Sequence, residues 1–159
     1  MDKQNRKPGS RPEHSRHAQR VYAFQVLYSM NFVPDEKQLR TTFKHFQEES
    51  SKNKTSKASY AWELILGVFD NLDELNRIIS RYSRNWRVER IALVELTIMR
   101  LAVFEMLRRS DVPIKVAINE GIELAKAFGD ENSRNFVNGI LDAVAKDIKN
   151  GKLGGGSGF

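Results

Sequence analysis

Between residues 111 and 144 apolar side chains recur with a period that a helix satisfies and a strand does not. Ile114, Ala117, Ile118, Gly121, Ile122 and Ala125 fall at three- and four-residue spacing, and Lys115, Glu123 and Lys126 lie between them. An amphipathic helix follows. Asp111 stands at its expected N-cap and Pro113 in its first turn, where a missing N–H and a fixed φ do no harm. Gly129 is the expected left-handed stop, and Asp130, Glu131 and Asn132 make a polar turn. Ser133 then caps a second helix whose stripe is Val137, Ile140, Leu141, Val144 and Ile148. Gly139 costs that helix about 1 kcal/mol relative to alanine, which predicts close approach of another backbone.

The same patterning predicts five earlier helices. The first runs from Ser15 or Arg16 to about Met30, with Val21, Phe24, Leu27 and Tyr28 inward. After a turn at residues 31–35, residues 36–49 make a second through Leu39, Phe43 and Phe46. Residues 50–59 hold nothing apolar larger than Ala58 and read as an exposed linker. Residues 60–69 bury Ala61, Leu64, Ile65 and Val68. Asn71 and Glu74 form a capping-box-like pair opening a helix with the stripe Leu72, Leu75, Ile79 and Tyr82. Residues 88–107 are apolar nearly all round, which marks a helix buried at the centre of the fold. Its charges, Glu95, Arg100 and Glu105, require partners, so Glu95 or Glu105 is expected to pair with an arginine of a neighbouring helix. The expected architecture is all-α, about seven helices in two small bundles around the central helix. It occupies residues 16–148, between a mobile basic arm (1–15) and a flexible glycine-rich tail (149–159).

Composition narrows the function classes. A chain of 159 residues with 40% hydrophobic and 29% charged residues is an ordinary globular domain. It has no cysteine, hence neither disulfides nor thiolate metal sites. No signal-like segment and no run of 18 uncharged apolar residues occurs, so no membrane insertion is expected. The formal net charge is +6, and residues 1–20 set Lys3, Arg6, Lys7, Arg11, Arg16 and Arg20 against Asp2 and Glu13. Such an arm suits a polyanion, although a solvated terminus reads the same way. His14, His17 and His45 are the histidines, and they form no metal-binding spacing. A phosphate loop and a nucleophile–histidine signature are likewise missing. A binding module is expected rather than an enzyme, with neither metal nor cofactor.

Candidate contacts sit at helix ends. Arg16, His17 and Arg20 share one face of the first helix at three- and four-residue spacing and predict a basic patch. Phe136, next to Arg134, is either a stacking platform for a base or a core phenylalanine. Arg77, Arg81, Arg84 and Arg87, with Trp86 among them, read equally as complements to a helix dipole or as RNA contacts. Lys52, Lys54 and Lys57 read chiefly as solubilising residues of the linker.

KVAINEGIELAKAFG and SRNFVNGILD, with RVYAFQVLY, YAWELILGV and VERIALVELTIMRLAVFEML before them, resemble the NusB family of bacterial transcription antitermination factors over about residues 16–148. The resemblance implies a cytoplasmic adaptor that binds boxA-type single-stranded RNA together with NusE, a small-subunit ribosomal protein. The pair would help assemble an antitermination complex on RNA polymerase during ribosomal RNA transcription. Carried over by position, the RNA-binding residues are Arg16, His17, Arg20, Asn132, Ser133, Arg134 and Phe136, and the NusE contacts are Tyr28 and Glu89. The chain departs from its relatives at His17 and Ala18, where further basic residues are common. It also has Asn132 in place of an acid and Asn135 in place of a base. Some rRNA cytosine methyltransferases carry a NusB-like N-terminal domain, but no S-adenosylmethionine-binding segment or cysteine nucleophile is present here. A helical protein–protein scaffold is the third reading, and a homodimer remains open.

Overall fold

The computed structural model describes residues 15–32, 36–52, 59–84 and 87–153. The basic arm before Ser15, the linker lysines Lys54 and Lys57, Trp86, the side chains of Phe43, Phe46 and Lys52, and the tail after Leu153 lie outside the described residues or atoms. Seven helices are present among the described residues: α1 (Arg16–Ser29), α2 (Glu36–Lys52), α3 (Ser59–Asp70), α4 (Leu72–Tyr82), α5 (Leu93–Arg108), α6 (Ile114–Phe128) and α7 (Glu131–Lys149). A 3-10 turn (Val88–Arg90) precedes α5.

The nearly all-apolar segment becomes the centre. Every residue of α5 from Leu96 to Leu107 except Arg100 is buried. Helices α1, α3 and α4 pack on it from one side and α6 and α7 from the other, with α4 also touching α7. These are the two expected bundles, and α5 is common to both. The central helix starts later than its apolar pattern suggested. Residues 88–90 form the 3-10 turn, and Ile91 is extended (φ −74, ψ 134) and buried, with Ala92 as the N-cap of α5.

Several helix ends also differ from expectation. Pro113, not Asp111, is the N-cap of α6. The Asp111 carboxylate is drawn away to the guanidinium groups of Arg16 at 3.2 Å and Arg109 at 3.1 Å. Gly129 is extended (φ −97, ψ −168) rather than left-handed. A Cβ there would lie 2.5 Å from Ser133 Oγ, so the close approach of that hydroxyl is what demands glycine. Helix α7 begins at Glu131, and Asp130 is its cap. The Asp130 carboxylate accepts from the N–H groups of Asn132 (2.9 Å) and Ser133 (3.0 Å), while Ser133 Oγ accepts from Asp130 N–H at 3.0 Å. Ser133 is therefore the reciprocal member of a capping box, not the N-cap. Asn71 makes no side-chain capping bond; its amide donates to Gly67 O at 2.7 Å instead.

The backbone approach expected at Gly139 is absent, since a Cβ there would meet nothing within 4 Å. Close packing occurs at Gly121 instead, where a Cβ would lie 2.9 Å from Leu141 Cδ1, and at Gly67, where it would strike the Phe104 ring. The end of α7 is also more ordered than a flexible tail. Gly151 adopts φ 72, its N–H reaches Ile148 O (3.1 Å), and Lys152 N–H reaches Asp147 O (2.8 Å). This Schellman closure satisfies terminal carbonyls and is followed by a buried Leu153.

Candidate nucleic-acid interface

At the start of α1 the Ser15 side chain accepts from Ala18 N–H at 3.1 Å, so the helix opens with a conventional cap. The expected basic patch is largely neutralised. Arg16 is exposed, pairs with Asp111 and lays its guanidinium 3.9 Å from the Tyr60 ring centroid. His17 is exposed, with Nδ1 2.8 Å from Glu120 Oε2. Arg20 is not on the surface at all: only 4% of it is accessible. Its Nε and Nη2 donate to the two Glu105 oxygens at 2.8 and 2.9 Å, and the Tyr60 hydroxyl donates to Glu105 at 2.6 Å. Burial lowers the Arg20 pKa, but the Glu105 hydrogen bond and charge outweigh this and hold it above its ordinary value. Burial first, and then the Glu105 bond, push the Tyr60 hydroxyl up to about 12. Arg20 thus supplies the arginine partner foreseen for the central helix, and the expectation of an RNA-facing Arg20 is corrected by its burial.

Around the turn between α6 and α7, Asn132 and Arg134 are exposed. Arg134 forms no ion pair with a described residue. Ser133 is 2% accessible and donates its hydroxyl to Glu95 Oε1 at 2.8 Å, fastening the start of α7 to the start of α5. It therefore faces inward, against the expectation of a surface contact. Phe136 is half-buried and packs against the core at its edge, with part of its ring accessible.

The residues expected to meet a protein partner lie at the far end of α1 and before α5. Tyr28 is half-buried, stacked on Phe24 with centroids 5.8 Å apart and edge-on to Phe32 at 5.3 Å. Phe32, 62% exposed, went unnoticed in the sequence, where its only signal is a lone aromatic in a polar turn. Glu89 is exposed but belongs to the 3-10 turn rather than to the central helix. Beneath this end, Leu27, Met30, Asn31, Val68, Phe69, Leu72, Thr97 and Arg100 line a cavity of about 230 Å³. Arg100 donates from Nε to Asn76 Oδ1 at 2.8 Å, and burial lowers its pKa. Among the described residues no group of three or more His, Asp or Glu is arranged to hold a metal ion. No described helix is long and apolar enough to cross a membrane.

Five helices packed on α5, with arginines and part-exposed aromatics at the helix ends, define an all-helical binding module. The chain belongs to the NusB family, whose profile matches residues 17–146. It is 54% identical over 142 residues to the transcription antitermination protein NusB of Oleidesulfovibrio alaskensis, covering 87% of this chain and 92% of that one. With the corresponding protein of Nitratidesulfovibrio vulgaris (strain Miyazaki F) it shares 46% identity over 166 residues, covering 96% and 97%. Its fold superposes on T. maritima NusB with a TM-score of 0.72 at 35% identity, covering 87% of this chain and 98% of that chain. It superposes on a chain of the crystal structure of antitermination factors NusB and NusE in complex with dsRNA with a TM-score of 0.67 at 25% identity, covering 82% and 96%.

Proposed function

We infer that this chain is a cytoplasmic transcription antitermination adaptor, acting by binding rather than by catalysis. It holds boxA-type single-stranded RNA jointly with NusE and helps assemble an antitermination complex on RNA polymerase during ribosomal RNA transcription. The observation that carries this reading is the surface at the start of α7, in a chain whose relatives bear the antitermination name. There Arg134 stands exposed with no carboxylate of a described residue to neutralise it, Asn132 offers an amide, and Phe136 presents part of its ring. Arg134 supplies a phosphate contact, Asn132 a hydrogen bond and Phe136 a stacking edge. Arg16 and His17 can contribute by exchanging Asp111 and Glu120 for phosphate. Arg20 and Ser133 act from the interior, holding α1 and α7 against α5. Tyr28 and Glu89 form the NusE side, and joint binding raises the effective concentration of each weak contact.

Fluorescence anisotropy with a boxA-like RNA and a scrambled RNA, with and without NusE and at two salt concentrations, tests this directly. Preference for boxA that strengthens with NusE is expected, and Arg134→Ala and Phe136→Ala should each weaken it. Equal, weak binding to both RNAs in the presence of NusE sinks the reading and leaves a helical protein scaffold.

A further inference from the structure

The arginines of the described chain divide by place. Arg16, Arg20, Arg40, Arg108 and Arg109 are each paired with a carboxylate. Arg77, Arg81, Arg84, Arg87 and Arg90 are all exposed, and none forms an ion pair with a described residue. They crowd into the end of α4 and the segment leading to α5, and Glu89 is the one acid in that stretch, with Asp73 a turn before Arg77. A helix dipole accounts for Arg81 at the end of α4; it does not account for Arg84, Arg87 and Arg90, which lie beyond the helix.

Two fastenings show where this segment runs. At one end Tyr82 donates to Asp147 Oδ2 at 2.5 Å, fixing the end of α4 to the last turns of α7. At the other, Glu95 on α5 accepts from Ser133 at the first turn of α7. Between Ser133 and Asp147 lies roughly 20 Å of helix, so Tyr82 and Glu95, on either side of the arginine segment, are held towards opposite ends of α7. Arg87 (φ −68, ψ 148) and Ile91 (φ −74, ψ 134) are extended on either side of the 3-10 turn. The edge of α7 that bears Asp147 also carries Ala143, Gly139 and Phe136, at three- and four-residue spacing. That edge is small-sided in its middle. At Gly139, an exposed position of α7, a Cβ would meet nothing within 4 Å, so neither packing nor a turn explains a glycine that weakens the helix.

We propose that the Phe136–Gly139–Ala143 edge of α7 and Arg84, Arg87 and Arg90, which lie between the two fastenings, form a second RNA track, which takes the phosphodiester backbone of nucleotides flanking the recognised element. The proposal rests on the RNA-binding reading above and extends it to a surface not included there. Phe136 joins the two sites: a base seated on its ring leaves the adjoining strand at the mouth of the track. Gly139 lets a sugar–phosphate backbone come close to the helix, and the guanidinium groups supply the positive charge. Glu89 on the 3-10 turn and Glu131 and Asp142 on α7 are the exposed acids nearby, and they limit how many phosphates the track neutralises.

The test compares the full chain, with NusE present, on a boxA-like RNA and on the same RNA extended by about a dozen nucleotides on either side. Two variants are made, R84Q/R87Q/R90Q, which removes the charge, and Gly139→Leu, which fills the track at an open, solvent-facing position. The extended RNA should bind the wild type more tightly than the short one. The triple variant should lose on the order of 10- to 100-fold on the extended RNA at 0.1 M salt, and its log–log salt slope should become shallower by about 2, at roughly 0.7 per lost contact. Binding of the short RNA should be unchanged. Gly139→Leu should weaken the extended RNA alone. Unaltered binding of the extended RNA by both variants overturns the track while leaving boxA recognition intact. Loss of NusE binding by the triple variant without loss of RNA affinity also overturns it, because the surface then serves a protein. If the wild type binds neither RNA, the antitermination reading and the track fall together.

Discussion

Removing Glu105 tests whether α1 is held to the core by a buried ion pair. The carboxylate is 1% accessible and accepts three hydrogen bonds, two from Arg20 at 2.8 and 2.9 Å and one from Tyr60 at 2.6 Å. In Glu105→Ala the Arg20 guanidinium, 4% accessible, is left without its partner. Breaking one side of a buried pair costs about 3–5 kcal/mol. Glu120, 22% exposed and 4.0 Å from Arg20 Nη1, can recover part of the loss, so the lower end, about 3 kcal/mol, is expected. In a chain of this size that lowers Tm by roughly 6–12 °C. Urea unfolding followed by helical circular dichroism should show a lower midpoint at unchanged slope. The companion variant R20M/Y60F/E105L removes all three polar partners together and should fall within about 1 kcal/mol of the wild type, because no buried charge is stranded. A cost below about 1 kcal/mol for Glu105→Ala, or a triple variant worse than the single one, would refute the reasoning.

Three other outcomes follow from the same structure. Gly67→Ala places a Cβ 2.1 Å from Phe104 Cζ and should destabilise by about 2 kcal/mol or more, whereas Gly139→Ala meets open space and should stabilise by about 1 kcal/mol; opposite signs in paired urea titrations are the check. The Tyr60 pKa is raised from 10.0 to about 12, so its contribution is complete below pH 10 and is lost as pH climbs towards 12. Tyr60→Phe should therefore flatten the alkaline fall in stability, by on the order of 2–3 kcal/mol at most, and an unchanged pH profile would count against the Tyr60–Glu105 bond. Leu153→Ala should cost about 2 kcal/mol, and a loss close to zero in a thermal melt would return residues 150–153 to the status of a loose tail.

The helices were legible because their signal is local. Stripes such as Leu75–Ile79–Tyr82 and Val137–Ile140–Leu141–Val144 need only the helical period, and the structure buries these residues or packs them against the core. Helix ends were less so. Asp130 and Ser133 are both good caps, and sequence alone does not say which one will be N-cap. The extended backbone at Gly129 decides it by bringing Ser133 Oγ back onto Asp130 N–H. Gly139 and Gly121 look alike as helical glycines, but one faces solvent and the other faces Leu141, a distinction made only by the packing of α6 on α7.

Charged residues are sorted by their spacing from the apolar stripe, not by their spacing from other charges. Arg20 lies three or four residues from Arg16 and His17, which suggested a shared basic face. It also lies three and four residues before Ala23 and Phe24, and Leu27 continues that line into the core. Glu105 stands the same way behind Ile98, Leu101 and Ala102, and Ser133 ahead of Val137 and Ile140. These three on-stripe polar residues are buried and have polar partners: Arg20 and Glu105 bond to each other, and Ser133 donates to the half-buried Glu95. Arg77 and Arg81 fall off the Leu75–Ile79–Tyr82 stripe and are exposed without a described carboxylate partner; Arg134, three residues before Val137, is at the edge of the α7 stripe in the first turn and is exposed as well. A polar residue in register with an apolar stripe is enclosed when the helix packs and must find its partner inside the fold. One out of register keeps its charge in water, where a phosphate can displace solvent and counterions. Register against the stripe therefore separates Arg20, which holds α1 in place, from Arg77 and Arg81, which stay available to a polyanion.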